Sequence, residues 1–304
     1  MKKSLLFWGE KYLFSPGVLE WFLALLLLPF SLLYCLIVWS KFKLAKVEDF
    51  GIPIVSVGNL IVGGSGKTPL TVALAKQYSK PAIILRGYGR KSKGMQIVSH
   101  EKEILCDVKC SGDEAMLYAT LLPHALVIVA EDRVEGILKA KEIGVDLIFL
   151  DDAYSKHFIK KLDLLIYTKQ ENPFCLPSGP FRERLWAGKK AVEVEENIDF
   201  KRQVNILEES PRMVLVTAIS KPQRLDAYLN ENVIEKVYFP DHHAFTKQEL
   251  EKILNEIKAT SLLVTRKDAV KMQEFNLPLS YLELELELDE SLHQTVLDYV
   301  KIAH

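Results

Sequence analysis

Apolar and polar positions fall into distinct regimes along the chain. From Trp21 to Ser40 no side chain carries a charge. As a helix, such a run extends about 30 Å, near the thickness of a bilayer core, which places it in or on a membrane. Pro29 lies mid-run, where it predicts a kink. Lys2, Lys3 and Lys11 precede the run and Lys41, Lys43 and Lys46 follow it. The basic flanks therefore choose no orientation: the run either spans, or inserts shallowly with both flanks on the cytoplasmic face. A core helix is the plainer alternative. A secretory signal fits poorly, because the run starts late and no small-residue cleavage site follows it.

Beyond Lys46 the pattern changes to short apolar runs alternating with amphipathic stretches, as in parallel sheets covered by helices. Strands are predicted at Ile52–Val57, Ala82–Leu85, Leu126–Ala130, Asp146–Leu150 and Asp163–Tyr167, with helices over Lys67–Tyr78, Asp113–Leu122 and Arg133–Ile143. Between Asn172 and Gly188 three prolines and two glycines break the pattern, predicting a loop or joining stretch. The alternation resumes at Met213–Ile219, Val233–Phe239 and Leu262–Thr265. It ends in Tyr281–Leu288, whose Leu-Glu alternation is that of a half-buried strand with Glu facing water. Thr246 and Glu249 form a capping box ahead of a helix running to Ala259. The expected fold is α/β: a P-loop NTPase-like core with a parallel sheet (46–200), a second, smaller α/β lobe (201–304), and an N-terminal membrane-associated helical segment (1–45).

Composition adds little to this picture. The 304 residues are 49% hydrophobic and 26% charged, with a net charge of -1 that gives no global attraction for nucleic acid. Cys35, Cys106, Cys110 and Cys175 are too few and too scattered for a disulfide framework, so reduced thiols in a cytosolic setting are expected. Cys106 and Cys110 have no His or second Cys pair at zinc spacing.

The candidate chemistry begins after the first strand, at Gly63-Gly64-Ser65-Gly66-Lys67-Thr68. Such a loop cradles phosphates with backbone N–H groups, Lys67 offers a point charge, and the Thr68 hydroxyl is placed for Mg²⁺. ATP and Mg²⁺ are therefore the expected cofactors. The full pattern asks for a Gly where this chain has Ile61. Asp151 and Asp152 end a strand, where a carboxylate either holds Mg²⁺ or caps a turn. Asp113 begins a helix. It is either a dipole-favoured first-turn carboxylate or a base for an attacking hydroxyl, and the residues leave both readings open. In Phe239-Pro240-Asp241-His242-His243 an imidazole can share a proton with a carboxylate. Arg86, Tyr88 and Arg90, in a glycine-rich basic loop, suit an anionic headgroup or are simply solvated. Arg133, Arg182 and Glu183 are further candidates for substrate or phosphate contacts, with ion pairing the default reading.

Taken together, these residues resemble the tetraacyldisaccharide 4'-kinase family of lipid A assembly. The resemblance runs in order through Val57–Leu60, Gly63–Pro69, Arg86–Gly94, Gly112–Glu114, Glu131–Arg133, Leu150–Asp152, Leu176–Pro180 with Arg182-Glu183, Phe239–His243 and Thr265–Lys271. It implies transfer of the ATP γ-phosphate to the 4'-hydroxyl of an acylated glucosamine disaccharide 1-phosphate at the cytoplasmic face of the inner membrane. It also implies two P-loop-like α/β lobes and Asp113 as base with His242 assisting; Lys67 of the loop and Asp152 of the strand end complete the expected catalytic set. The partners implied are that lipid and the bilayer; neither nucleic acid nor an obligate protein partner is indicated. Where the family reads Asp-Asp-Gly-Phe-Gln-His, this chain has Asp151-Asp152-Ala153-Tyr154-Ser155-Lys156, and His157 is displaced by one place. A membrane-tethered P-loop NTPase acting as an assembly or targeting factor is the competing class. Its GTPase form would carry a base-reading motif that Thr265-Arg266-Lys267-Asp268 approaches without matching its spacing.

Overall fold

The computed structural model describes residues 2–64, 66–219, 222–241 and 243–303. Ser65 and His242, both singled out above, lie outside the described residues. In chain order the first part runs α1 (Lys2–Phe14), α2 (Val18–Leu26), α3 (Leu28–Leu44), β1 (Ile54–Gly58), α4 (Lys67–Ala75), β2 (Pro81–Leu85), β3 (Gln96–His100) and β4 (Glu103–Ile104). There follow α5 (Val108–Ser111), α6 (Asp113–Leu121), β5 (Leu126–Val129), α7 (Arg133–Ile143), β6 (Leu147–Asp151), β7 (Leu162–Ile166) and β8 (Val192–Val194). The remainder is β9 (Phe200–Leu207), β10 (Met213–Thr217), β11 (Val233–Tyr238), α8 (Lys247–Ile257), β12 (Ser261–Thr265), α9 (Arg266–Ala269), β13 (Leu279–Leu288) and α10 (Glu290–Ala303). Every strand expected from an apolar run forms, its ends displaced by two residues at most.

The chain divides into two compact units, each discontinuous in sequence. The first comprises Met1–Lys67, Leu150–Asp199 and Glu290–His304. In it β1 pairs in parallel with β7, and β7 with β8. The Asp152 N–H, just past β6, donates to the Val57 carbonyl at 2.9 Å. The second unit comprises Thr68–Phe149 and Phe200–Asp289. Here β2 pairs in parallel with β5, while β3 is antiparallel to both β5 and β4. A separate five-stranded sheet runs β11-β10-β12-β13-β9, parallel except for β9. The protein is therefore α/β, with parallel and mixed sheets. Strands β1, β2, β5, β6 and β10 are buried at every position, as expected where both faces of a parallel sheet are covered.

Strand β9 shows why some elements escape the apolar pattern. Its exposed and half-exposed positions alternate, and it pairs with the Glu-rich end of β13, where Gln203 donates to Glu287 at 2.9 Å. The capping box forms as expected: Thr246 Oγ1 accepts from the Glu249 N–H at 3.3 Å, and the Thr246 N–H donates to Glu249 Oε1 at 2.8 Å.

Within the first unit the expected bend of the apolar run is present, and the expectation of free cysteines is corrected. The apolar run is two helices, α2 and α3, bent by 60° across Leu27. The bend falls just before Pro29, which stands in the first turn of α3, where its missing N–H would have lacked a helical partner in any case. The cysteines are not all free, because Cys35 on α3 is joined to Cys175 with an S–S distance of 2.14 Å. The reason is spatial: α3 lies along the Pro-rich loop, with Ser31 Oγ donating to the Cys175 carbonyl at 2.8 Å and Tyr34 to the Arg182 carbonyl at 3.1 Å. Tyr12 on α1 donates to the Pro177 carbonyl at 2.9 Å. A separation of 140 residues conceals that proximity from the sequence.

Candidate active site

The phosphate-type loop leaves β1 at Gly58. Leu60–Val62 then run beside the Pro-rich loop: the Val62 N–H donates to the Pro180 carbonyl, and the Arg182 N–H to the Leu60 carbonyl, both at 2.9 Å. Ile61 bridges to Phe181 and is 8% exposed. The side chain standing in place of the pattern's first glycine is therefore a buried strut. Gly63 and Gly66 follow with φ of +95° and +87°, a left-handed conformation that would strain any L side chain. Lys67 then opens α4, so the turn delivers the chain to a helix N-terminus.

Around Lys67 the first unit gathers the carboxylates that end β6. Asp151 is 4% exposed. Asp152, at φ +52°, turns its half-exposed carboxylate toward Lys67, 3.7 Å away, and Arg182. Arg182 grips both Asp152 oxygens, donating to Oδ2 at 2.8 Å and closely to Oδ1, and reaches Asn59 Oδ1 at 2.8 Å. Asn59 itself is buried. Arg182, a candidate phosphate contact by sequence, thus serves first as a clamp on Asp152 and Asn59. Glu183 faces His157 at 3.6 Å, and the His157 ring packs edge-on to Phe42 and Tyr154. The displaced histidine is a core residue. Two adjacent carboxylates, one buried and one half-exposed, offer the hard oxygen donors that suit Mg²⁺. No group of three or more His, Cys, Asp or Glu poised for a metal occurs among the described residues.

Asp113 belongs to the second unit, where it is 7% exposed in the first turn of α6. Gly112 before it has φ +83°, and a Cβ there would come within 3.0 Å of the Tyr88 carbonyl oxygen. Only glycine fits this junction. Asp113 Oδ2 lies 3.6 Å from Lys271 Nζ and 4.0 Å from Lys267 Nζ. Lys267 also stands 3.9 Å from Glu114 and 3.8 Å from Asp241. Past Asp241, His243 stacks on Phe239 and meets Glu249 at 3.0 Å. Through Lys267 and Lys271 the fold thus links Asp113 to Asp241 and to the His243 backbone, which the sequence had left far apart.

The basic loop is less free than its composition suggests. Arg86 and Tyr88 are exposed. The Arg90 side chain is 3% exposed, bonded to Ser92 and Gly94 and paired with Glu131 at 2.5 Å. That guanidinium holds the Glu131 carboxyl below the usual carboxylate range. Asp132 caps α7 through the Val134 N–H, and Arg133 is buried, donating to the Ala130 carbonyl.

Comparison with known proteins decides the affiliation. The profile of the tetraacyldisaccharide-1-P 4'-kinase family matches residues 23–198 and 190–301. The chain belongs to that family. It is 50% identical over 302 residues to the tetraacyldisaccharide 4'-kinase of Aliarcobacter butzleri, covering 96% of each chain. The corresponding kinase of Helicobacter acinonychis is 47% identical over 294 residues, covering 96% of this chain and 94% of the relative. That of Campylobacter jejuni is 41% identical over 304 residues, covering 99% and 98%. Among solved structures, LpxK from Aquifex aeolicus in complex with ATP matches with a TM-score of 0.75 at 28% identity, covering 91% of this chain and 99% of that one.

Within this kinase family chain, sequence reasoning assigned no role to Asn59, Asp268 or Lys271. Asn59 is fixed by its bond to Arg182, and Asp268 and Lys271 by the packing of α9. One signal was available: Lys267 and Lys271 lie four apart just after an apolar strand, the spacing that puts two side chains on one helical face.

Proposed function

We propose that this chain transfers the γ-phosphate of ATP to the 4'-hydroxyl of an acylated glucosamine disaccharide 1-phosphate. The observation that carries the proposal is the glycine turn ending in Lys67, 3.7 Å from the β6 carboxylate Asp152, in a chain of this kinase family. In this reading the amides of Gly63–Gly66 and the first turn of α4 wrap the triphosphate, and Lys67 meets its outer oxygens. Thr68 and Asp151 or Asp152 hold Mg²⁺, which when bound supplies charge neutralisation at the phosphates. Arg182 keeps the Asp152 carboxylate aimed. Asp113 takes the sugar hydroxyl proton, assisted by His242, and its main contribution is an oriented base. In this reading the exposed Arg86 and Tyr88 meet an anionic headgroup, whereas Arg90 and Arg133 brace their own loops.

The same reading seats the N-terminal helices at the cytoplasmic face of the inner membrane. Among the described residues no single helix is long and apolar enough to cross a bilayer; the bent pair α2–α3 passes that test only together. Val18, Leu19, Phe22 and Leu26 on α2, and Phe30 and Leu32 on α3, are more than half exposed. Lys41 and Lys43 close the last turn of α3. An apolar surface bordered by lysines suits the interface of a leaflet and brings the site to an acyl-chain substrate.

The test is incubation of the purified chain with Mg-ATP and tetraacyldisaccharide 1-phosphate, followed by mass spectrometry. One added phosphate at the 4' position is expected. ATP consumption without a phosphorylated lipid would instead favour a membrane-tethered NTPase. Asp113→Asn should lower kcat by about 10²–10⁴-fold, the usual contribution of a general base. Near-normal turnover would remove Asp113 from that role.

A further inference from the structure

We propose that Lys271, fastened by Asp268, is a positioning residue that holds the Asp113 carboxylate and the His243 backbone in one arrangement; this rests on the kinase reading above. The Lys271 side chain is 8% exposed. Its ammonium faces oxygens from three separate segments: Asp268 Oδ1 at 3.4 Å, the His243 carbonyl at 3.3 Å and Asp113 Oδ2 at 3.6 Å. The Phe245 ring lies 5.4 Å from the same nitrogen. An ammonium has three N–H groups, and burying it without matching oxygens is costly. Here three oxygens stand around three N–H groups, so Lys271 is spoken for inside the fold and is not an arm extended toward a phosphate.

Asp268 makes this arrangement rigid. It is fully buried and accepts from Thr217 Oγ1 at 2.7 Å, Thr265 Oγ1 at 2.8 Å and the Ala218 N–H at 3.2 Å. Those donors sit at the ends of β10 and β12, the centre of the five-stranded sheet. Position therefore passes from the strand ends to Asp268, from Asp268 to Lys271, and from Lys271 to Asp113 and to the backbone next to His242. Lys267 is built differently. It is 20% exposed, and its contacts with Asp113, Glu114 and Asp241 are all 3.8 Å or longer.

The experiment uses the full chain with Mg-ATP and tetraacyldisaccharide 1-phosphate, comparing Lys271→Met, Lys271→Arg, Asp113→Asn and the Lys271→Met/Asp113→Asn double variant. Lys271→Met should lower kcat about 100-fold, as a small misplacement of a reacting group does, with KM for ATP changed by less than about twofold. Lys271→Arg should recover at least about a tenth of wild-type kcat. In the Asp113→Asn background, Lys271→Met should cost less than about threefold more, because residues acting as a unit are not additive. An unchanged kcat, an equal fall in both backgrounds, or a raised KM for ATP at constant kcat would each overturn the proposal. If Lys271→Met does not fold, Lys271→Gln, which keeps neutral N–H donors without the charge, is held to the same criteria. Near-normal turnover of Asp113→Asn alone would sink the base assignment, whereas loss there with a normal Lys271→Met removes only the positioning role.

Discussion

Replacing Arg182 by Met tests whether the clamp beside the phosphate loop is held by charge or by a buried amide. The substitution keeps an apolar stem and removes the guanidinium that bonds Asp152 and Asn59. The two charged partners are 31% and 37% exposed, so water readily replaces the ion pair, which is worth about 0–1 kcal/mol. Asn59 is 1% exposed, and its Oδ1 would lose the Arg182 donor. Leaving such a buried acceptor unpaired costs about 1–3 kcal/mol. The expected loss is therefore about 1–3 kcal/mol, most of it from Asn59. At this chain length each kcal/mol shifts Tm by about 2 °C, so thermal melts of the purified protein should show a fall of roughly 2–6 °C. Repeated in an Asn59→Ala background, the same substitution should shift Tm by less than about 2 °C. A shift of equal size in both backgrounds would refute the reasoning and put the energy in the ion pair.

Other expectations follow from single features. Thr246→Ala removes one half of the capping box of α8 and should cost about 1 kcal/mol, read as a Tm decrease of about 2 °C; no decrease would show that the cap contributes nothing. Lys161 has a fully buried side chain, and burial, opposed by Asp163 at 3.3 Å, pushes its ammonium down to about 8. The unfolded chain holds that proton up to about pH 10.4, so protonated Lys161 opposes folding below pH 8 and the opposition fades as pH rises. Between pH 8 and pH 10 wild type should gain on the order of 2 kcal/mol relative to Lys161→Met; a constant difference in stability between the two would contradict the assignment. Leu19→Glu with Phe22→Glu places charge on two exposed apolar positions of α2, 82% and 72% exposed. Losing two such side chains from a bilayer interface should weaken co-sedimentation with anionic vesicles by at least about 100-fold, and unchanged pelleting would argue against membrane seating.

The α/β class, the strands Ile54–Gly58 through Leu162–Ile166, and the glycine turn before Lys67 were legible in the sequence because they depend on local order. Consecutive apolar side chains need cover on both faces, and a chain that must enter left-handed conformations at Gly63 and Gly66 shows it by carrying glycine there. Strand β9 and helix α10 were not legible: β9 is defined by its antiparallel partner β13 rather than by its own apolar content. The capping box of Thr246 lies within a few residues of its partner and could be read directly.

What only the tertiary structure decided is which charges meet. Sequence order lists Arg182 among loop cations, but packing of the Pro-rich loop along Leu60–Val62 turns it onto Asp152 and Asn59. Lys271 stands 158 positions from Asp113, yet the sheet that seats Asp268 brings its ammonium to 3.6 Å from that carboxylate. Cys35 and Cys175 meet only because α3 lies along the same loop. Apolar periodicity and turn chemistry act between neighbours in the chain and fix the elements. Ion pairing and hydrogen bonding act between neighbours in space, so the site they build follows from packing alone.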